Sequence, residues 1–441
     1  GVDANVITAE RIKEELNNGK SLDGALKSGF ARGLTPIIDG NVTIVIVAIV
    51  LMGAFGPSDG LFAKALHFVF FAFGPSTAGT IYAFGYTLLT GVLLNFVFGV
   101  FATRVMIRGA ASIKALRNPW LYGAVKPGRE VKEKKPIDLV GLRKRFLTIS
   151  TCLMAAIILC AAVFGVRLDT EFTGGAMITL SYQGEISTSE VQKTASTALE
   201  NNGLTLQTGE NVATGEQTLK ISMPGNETVT TDQVENLLTS LNEQYPDNAF
   251  AQLSLSNVSA AMGTKFLQKS LVAVVFSLLL ILLYIGFRFK KIGGLMAVLA
   301  LLNDLMVVFG TFVLLRTPLD GNFIAAMLTI LGYSINDTVV VYDRIRENRA
   351  LMGKKTPFEE LVNHSVNQSA RRTIITTVTT VMALGVMCVV SKLYGLDSIF
   401  TFAFPLMMGM LSGVYTSLCV STSAWVLWND RKSKKAETKK A

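Results

Sequence analysis

The sequence predicts an α-helical polytopic membrane protein of about eight spans, with one α+β domain of ferredoxin-like order outside the membrane. Three observations lead there. Half of the 441 residues are apolar and only 17% are charged, against about a quarter charged in an average soluble chain; mean hydropathy is +0.44. Eight separate stretches reach the roughly 20 predominantly apolar residues that a spanning helix needs. One connection, 167–267, changes to the short periodicities of a soluble module. This composition excludes a cytosolic enzyme, a disordered adaptor and a disulfide scaffold. The four cysteines (Cys152, Cys160, Cys388, Cys419) lie in apolar runs without metal or Cys-x-x-Cys spacing and read as buried thiols.

The spans fall at about 37–55, 81–103, 146–166, 270–287, 292–315, 323–343, 373–391 and 399–425. Asp39 and Asn41 stand at the start of the first, where both suit helix N-caps. Twelve Lys/Arg lie in 104–145, three in 288–291, seven in 344–372 and six in 431–441, whereas the short alternate connections hold few: Lys64 in 56–80, Arg316 in 316–322 and Lys392 in 392–398. The positive-inside rule then puts both termini in the cytoplasm. The formal net charge of +9 reflects these loops. A solvated face beside anionic lipid explains the basic linker 107–145 and the tail 431–441 better than nucleic acid does.

Residues 1–36 read as the end of a span and a cytoplasmic loop, and 37–106 as two spans around an outside insertion at 56–80. After the linker come one span (146–166), the outside module (167–267) and five spans within 268–430. In the insertion, Ala-Phe-Gly-Pro-Ser occurs at 54–58 and again at 72–76, bracketing 61–73. That stretch is too short to cross and suits an interfacial helix or a re-entrant segment. His67 within it reads as a surface residue.

The module 167–267 holds four Lys/Arg and twelve Asp/Glu. Residues 176–183 alternate as a strand, and 187–201 read as a helix capped by Ser187, Thr188 or Ser189. Two strands at 203–208 and 216–223 flank a Gly-containing turn. A helix from Thr230 or Thr231 to about Tyr245 precedes a last strand at 249–256. The order β-α-β-β-α-β is ferredoxin-like.

An internal repeat runs through the chain. Glu10-Arg11-Ile12-Lys13-Glu14 falls on Asp343-Arg344-Ile345-Arg346-Glu347 at an offset of 333 (343 − 10), and Gly19-Lys20 lies one residue off Gly353-Lys354. Both passages lead from membrane to cytoplasm and precede two spans, the pattern of parallel repeats about an axis along the membrane normal. The second unit has one span, the outside module and five spans, while the first shows only its last two. Four further spans and an outside domain are therefore expected upstream of Gly1.

These passages carry a resemblance. Gly1-Val2-Asp3-Ala4-Asn5-Val6 with Glu10-Arg11-Ile12, then Gly29-Phe30, Arg32, Asp39 and Asn41, resemble SecD around its fourth and fifth spans. Glu171-Phe172-Thr173-Gly174-Gly175 is similar to the SecF Asp-Phe-Thr-Gly-Gly motif, with Glu171 in place of Asp. The run from Gly332 to Arg344 (Gly-Tyr-Ser-Ile-Asn-Asp-Thr-Val-Val-Val-Tyr-Asp-Arg) is similar to the SecF signature. Asn367-Gln368, Arg372-Thr373 and Thr376-Thr377 resemble the SecF Arg-Thr motif. The chain thus resembles the bacterial SecDF family, Sec protein-export subunits of the RND superfamily, over its C-terminal SecD part and all of SecF. Two departures stand out: Asn303-Asp304 replaces the family's His-Asp, and the insertion at 56–80 is long.

Ionisable residues within spans cost on the order of 2.5–3.5 kcal/mol each at the centre, so each needs a reason. A carboxyl in a low dielectric holds its proton, and an approaching guanidinium makes it let go. Moving Arg372 toward or away from Asp337 or Asp3 can therefore switch proton binding. With the resemblance, Asp3, Asp337 and Arg372 form the expected ion-coupling set, joined by Asp39 and Asp304. Asn5, Asn336, Thr338, Thr373 and Thr376 are the expected polar support. The bland alternatives are N-caps for Asp39, interhelical hydrogen bonding for Asn303-Asp304 and cytoplasmic anchoring for Arg371 and Arg372.

The resemblance implies an export motor of the bacterial plasma membrane that uses protons or sodium ions as coupling ions and no cofactor. Its implied partners are the Sec translocation channel, a membrane insertase, unfolded preprotein, the missing SecD portion and anionic lipid, with no nucleic acid. No enzymatic set is expected. Competing readings are an RND-type exporter of small molecules or lipids and a non-transporting scaffold of the channel and insertase.

Overall fold

Eight helices of the computed structural model are long and apolar enough to cross a membrane. All residues are described except 75–78, 126–136, 202, 211–214, 226–227, 290, 354 and 439–441. The middle of the basic linker, the end of the tail, most of the turn between the second and third strands, Lys290, Lys354 and the end of the second Ala-Phe-Gly-Pro-Ser copy lie outside the described residues.

The chain opens with α1 (Val2–Asn17) and α2 (Leu22–Phe55). Helix α2 begins well before residue 37, with Ser21 Oγ accepting from the Gly24 amide. The reason lies in its first turns: Leu22, Ala25, Leu26 and Phe30 recur at helical spacing and bury against Ile12 and Leu16 of α1. That packing carries the helix through Pro36, which removes only one backbone donor. Asp39 and Asn41 are consequently mid-helix and cap nothing; Asn41 Nδ2 instead donates to the Ile37 carbonyl at 2.7 Å.

The insertion is not one helix. It forms α3 (Leu61–Ala65), α4 (His67–Phe70) and a tight turn over Phe71–Phe73. Phe70 is buried and meets Phe276 edge-on at 6.3 Å, and Lys269 Nζ donates to the Gly74 carbonyl at 3.0 Å. Next come α5 (Gly79–Leu94), a π-helical stretch at Asn95–Ala102 and α6 (Thr103–Ser112), which together make one span. Helix α7 (Arg143–Phe164) follows the linker. Helices α5 and α7 are the least enclosed of the eight spans. Cys152, expected buried, is accordingly exposed on α7, because its apolar surroundings face outward as a lipid-covered surface would.

The module comprises α8 (Thr170–Thr173), β1 (Gly175–Tyr182), α9 (Thr188–Ala198), β2 (Thr205–Glu210), β3 (Gln217–Pro224), α10 (Thr231–Gln244) and β4 (Ala251–Val258). The sheet order is β2-β3-β1-β4 with every pairing antiparallel. Alternate residues of β1 and β3 (Ile178, Leu180, Leu219, Ile221) bury against Val191 of α9 and Val234 and Leu237 of α10. Thr230 and Gln233 form a capping box at the start of α10.

The rest is α11 (Ala260–Arg288), α12 (Lys291–Leu315), α13 (Gly321–Met352), α14 (Phe358–Leu393), α15 (Asp397–Tyr415), a π-helical turn at Thr416–Val420 and α16 (Ser421–Thr438). The most enclosed span is α13. It crosses α2 so closely that a Cβ on Gly40 would lie 1.7 Å from Asn336 Oδ1, the small-residue contact by which membrane helices approach.

Gly175, the last residue of the Glu-Phe-Thr-Gly-Gly run, opens β1 at φ +125°, and a Cβ there would sit 1.9 Å from the Met223 carbonyl. Gly175→Ala is expected to destabilise the module by more than about 1 kcal/mol. Faster proteolytic cleavage within 167–267 of the membrane-embedded protein would show it; wild-type protection would contradict it.

Candidate functional site

Asp3 lies one turn into α1, where it faces both α13 and α14. Arg372 Nη2 donates to Asp3 Oδ1 at 2.6 Å, and Asn336 Nδ2 donates to Asp3 Oδ2 at 2.7 Å. Asp3 and Asn336 are repeat mates (3 + 333 = 336), so this hydrogen bond joins a residue to its own counterpart. That places the contact on the pseudo-twofold axis relating α1–α2 to α13–α14. Arg372 is buried while the adjacent Arg371 is exposed. The guanidinium therefore turns inward to Asp3 rather than outward as an anchor.

Asp337 follows Asn336 and lines a small cavity of about 80 Å³ together with Asp3, Tyr333, Ser334 and Thr376. Thr376 Oγ1 donates to the Arg372 carbonyl at 3.1 Å, which fixes the turn that presents the guanidinium. Thr373 is fully buried next to it. The structure thus brings Asp3, Asn336, Asp337, Arg372, Thr373 and Thr376 together.

It separates the others. Thr338 shares a 2.8 Å hydrogen bond with Ser417 on the opposite side of α13, and Asn5 is exposed on α1. Asp39, the repeat mate of Arg372 (39 + 333 = 372), turns to α11 and pairs with Arg288 Nη2 at 2.8 Å and Tyr284 Oη at 3.1 Å. Asp304 forms its own centre, completely buried. It accepts from Ser334 at 2.5 Å, Ser412 at 2.6 Å and Thr416 at 2.9 Å, and Asn303 donates to Ser412. Hydroxyls take the place of a charged partner there. Sequence reasoning missed Ser334, Ser412 and Thr416; their signal was Ser412 and Thr416 four apart on one helical face. The π-helical turn that starts at Thr416 sits at this centre, a common location for such turns.

Besides the stacking of Phe172 of α8 on Phe266 of α11 at 5.5 Å, the module makes polar contacts with the bundle at two points among the described residues. At the first, Asp169 N donates to the Leu319 carbonyl at 3.0 Å, and the Gly321 amide donates to Glu171 Oε2 at 2.8 Å. Lys220 Nζ lies 3.4 Å from Asp169 and 3.5 Å from Glu171. Burial by itself would lower the Lys220 pKa, but the charges of Asp169, Glu171 and Asp320 outweigh it and hold the ammonium above its ordinary value. Burial, reinforced by the Glu171 charge, pushes Asp320 up to about 7 against the pull of Lys220. At the second point, Thr208 of β2 donates to the Gly395 carbonyl and to Asp397 Oδ2, between α14 and α15. The module therefore stands on the start of α13, the helix that carries Asp337, and on the connection from α14 to α15 with the first residue of α15.

A helical bundle that carries parts of two related repeats, charged side chains at their axis and a ferredoxin-like module defines a polytopic α-helical membrane protein. The profile described as protein export membrane protein SecD/SecF, C-terminal, matches residues 237–431. Protein translocase subunit SecDF of Bacillus subtilis is 30% identical over 98% of this chain and 56% of its own length. Protein translocase subunit SecF of Alicyclobacillus acidocaldarius is 31% identical over 69% of this chain and 96% of its own. The crystal structure of SecDF from Thermus thermophilus, a translocon-associated membrane protein, superposes with TM-score 0.73 at 27% identity, covering 97% of this chain and 53% of that one. The chain belongs to the SecD/SecF family, and it spans about half the length of the SecDF relatives it matches. The hedgehog release protein Disp from Hypsibius dujardini shares only the fold, with TM-score 0.52 at 9% identity over 96% of this chain and 62% of its own.

The raised pKa of Asp320 gives a signed prediction. A folded-state carboxyl pKa above its unfolded value, roughly 3.9, means stability present at low pH and lost as pH rises from about 4 through about 7. Thermal unfolding of the wild type is expected at a lower temperature at pH 8 than at pH 5, and Asp320→Asn should shrink that difference. An unchanged difference would contradict the assignment.

Proposed function

We propose that the chain is the part of a Sec protein-export subunit in which ion flow moves an outside module to complete preprotein translocation. The observation that carries this reading is the Arg372–Asp3 pair on the repeat axis, with Asp337 in the same cavity wall. Arg372 comes from the second repeat and Asp3 from the first, so a proton or sodium ion that neutralises or screens either carboxylate changes how firmly the repeats hold together. One elementary charge moved through 100 mV supplies about 2.3 kcal/mol, enough to bias two arrangements of the helices. Because the module stands on the start of α13 and on the connection that leaves α14 for α15, a slide of α13 past that pair tilts it.

On this reading the basic connections face the cytoplasm of a bacterium and 167–267 faces outward, where a tilting module draws on unfolded preprotein leaving the Sec channel. The channel, an insertase and the segments that precede this region in the longer relatives are the partners. An exporter of small molecules or lipids would need an apolar substrate pocket in the module, whereas the module's core is filled by its own side chains.

In proteoliposomes with the translocation channel, Asp337→Asn and Arg372→Ala are each expected to abolish stimulation of export and proton conductance together. Folded variants that export normally would leave a scaffold as the function. Asp397→Ala at the second foot should keep conductance but lower export several-fold; unaffected export would show that the module needs no footing at the start of α15.

A further inference from the structure

The span built from α5, the π-helical stretch and α6 runs to Ser112, past the end of its apolar run at residue 103. Arg104 marks the level where that run stops, and its guanidinium lies 5.7 Å from the centre of the Phe30 ring on α2. Beside Phe30, a Cβ on Gly29 would sit 2.5 Å from Ile12 Cγ1 of α1, so Arg104, Phe30 and Ile12 share one level. After Ser112 the chain makes two tight turns, Lys114–Leu116 and Pro119–Tyr122. It then comes back to that level, where Gly123, at φ +95°, lies against the side chain of Lys13. Residues 113–122 thus rise no more than about 12 Å beyond the apolar run and descend again through the depth of the lipid headgroups.

Their side chains suit that depth. From 103 to 125 there are four Lys/Arg and no Asp/Glu. Arg104, Arg108 and Lys114 are exposed and have no carboxylate partner among the described residues. Ile113, Leu116, Trp120 and Leu121 are each between 41% and 54% exposed, too much apolar surface for a loop in water. Tyr122 and Ala124 turn the other way, onto the cluster that contains Ile12 and Leu16. Bases beside outward aromatic and aliphatic groups make a surface that fits anionic lipid, and tryptophan favours the membrane boundary. The patch also continues a lipid-facing surface, since Phe101, Val105 and Met106 just before it are exposed on the same little-enclosed span.

The segment grips the turn between the first two helices. Val125 N donates to Asn17 Oδ1 at 3.2 Å, and Arg117 Nη2 donates to Asp23 Oδ2 at 2.7 Å. Asn17 ends α1 and Asp23 lies in the first turn of α2. We propose that residues 113–122 seat in the headgroup layer on the basic side of the membrane, where Arg104, Arg108 and Lys114 bind the phosphates of anionic phospholipid. Lipid then holds the far end of α1, the helix whose first turn carries Asp3, so the anionic lipid content of that leaflet sets how freely α1 moves. The inference goes beyond the export-motor reading and stands independently of it.

The test is quenching of Trp120 by brominated phospholipid, with the chain in nanodiscs. The fluorescence that Trp120→Phe removes is the signal of Trp120, because Trp425 and Trp428 stay in both proteins. That signal is expected to be quenched by brominated lipid and spared by aqueous acrylamide. At equal mole fraction, brominated phosphatidylglycerol should quench it several-fold more than brominated phosphatidylcholine. Arg108→Gln with Lys114→Gln should remove that preference while leaving quenching by phosphatidylcholine intact. A Trp120 reached by acrylamide and not by bromine would overturn the seating, and protection from both would put protein rather than lipid on the patch. Equal quenching by the two lipids in the wild type, or a preference that survives the double variant, would overturn the phosphate site.

Discussion

The bundle depends on one part-buried contact, the Asp3 carboxylate held between the buried Arg372 and Asn336. Away from water an ion pair is retained only when geometry and further hydrogen bonds compensate for desolvation, and removing one member leaves the other uncompensated. Here both carboxylate oxygens are engaged, one by each of two helices. The module's two feet are the start of α13 and the connection that leaves α14 for α15. On the proposed function, whatever weakens the contact loosens that footing.

The repeat explains the geometry and its departures from symmetry explain the chemistry. Asp3 and Asn336 are counterparts, as are Arg372 and Asp39, so an ideal twofold would put the same groups on each side of the axis. Instead one side has the pair Asp3–Arg372, while Asp39 has turned away to Arg288 and Tyr284. The Asp3–Arg372 ion pair is left on the axis as the proposed charge switch. Asp304 shows another solution to burying a carboxylate, with three hydroxyls as donors and Ser334 linking it to the helix of Asp337.

The features that were legible in the sequence are those written in periodicity and charge count. Spans, the βαββαβ order and the 333-residue offset follow from patterns that side-chain direction cannot disguise. The site was legible only by type. Arg371 and Arg372 are identical in sequence terms, and a helical register of one residue, 100° of rotation, decides which faces Asp3. The continuation of α2 through Pro36 was hidden because its early turns are stabilised by α1, a contact from outside the window of any local signal. The hydroxyl cage of Asp304 draws on three helical segments, and the four-residue spacing of Ser412 and Thr416 does not say which carboxylate they face. The pairs Arg11–Glu347 and Arg344–Glu14 were present in the repeat alignment itself, since matching Arg11-x-x-Glu14 with Arg344-x-x-Glu347 implies cross-pairing once the two helices face each other across an axis; Arg32, which also holds Glu347, was not.

The most direct measurement is a double-mutant cycle on that contact, with thermal unfolding of the purified protein followed for wild type, Asp3→Asn, Arg372→Gln and the pair. Coupling through the repeat axis predicts that the double variant is clearly more stable than the sum of the two losses would make it, since it leaves neither charge buried alone. Additive losses would mean that Asp3 and Arg372 do not act as one unit, and the account of the two repeats held by a single switch would be wrong.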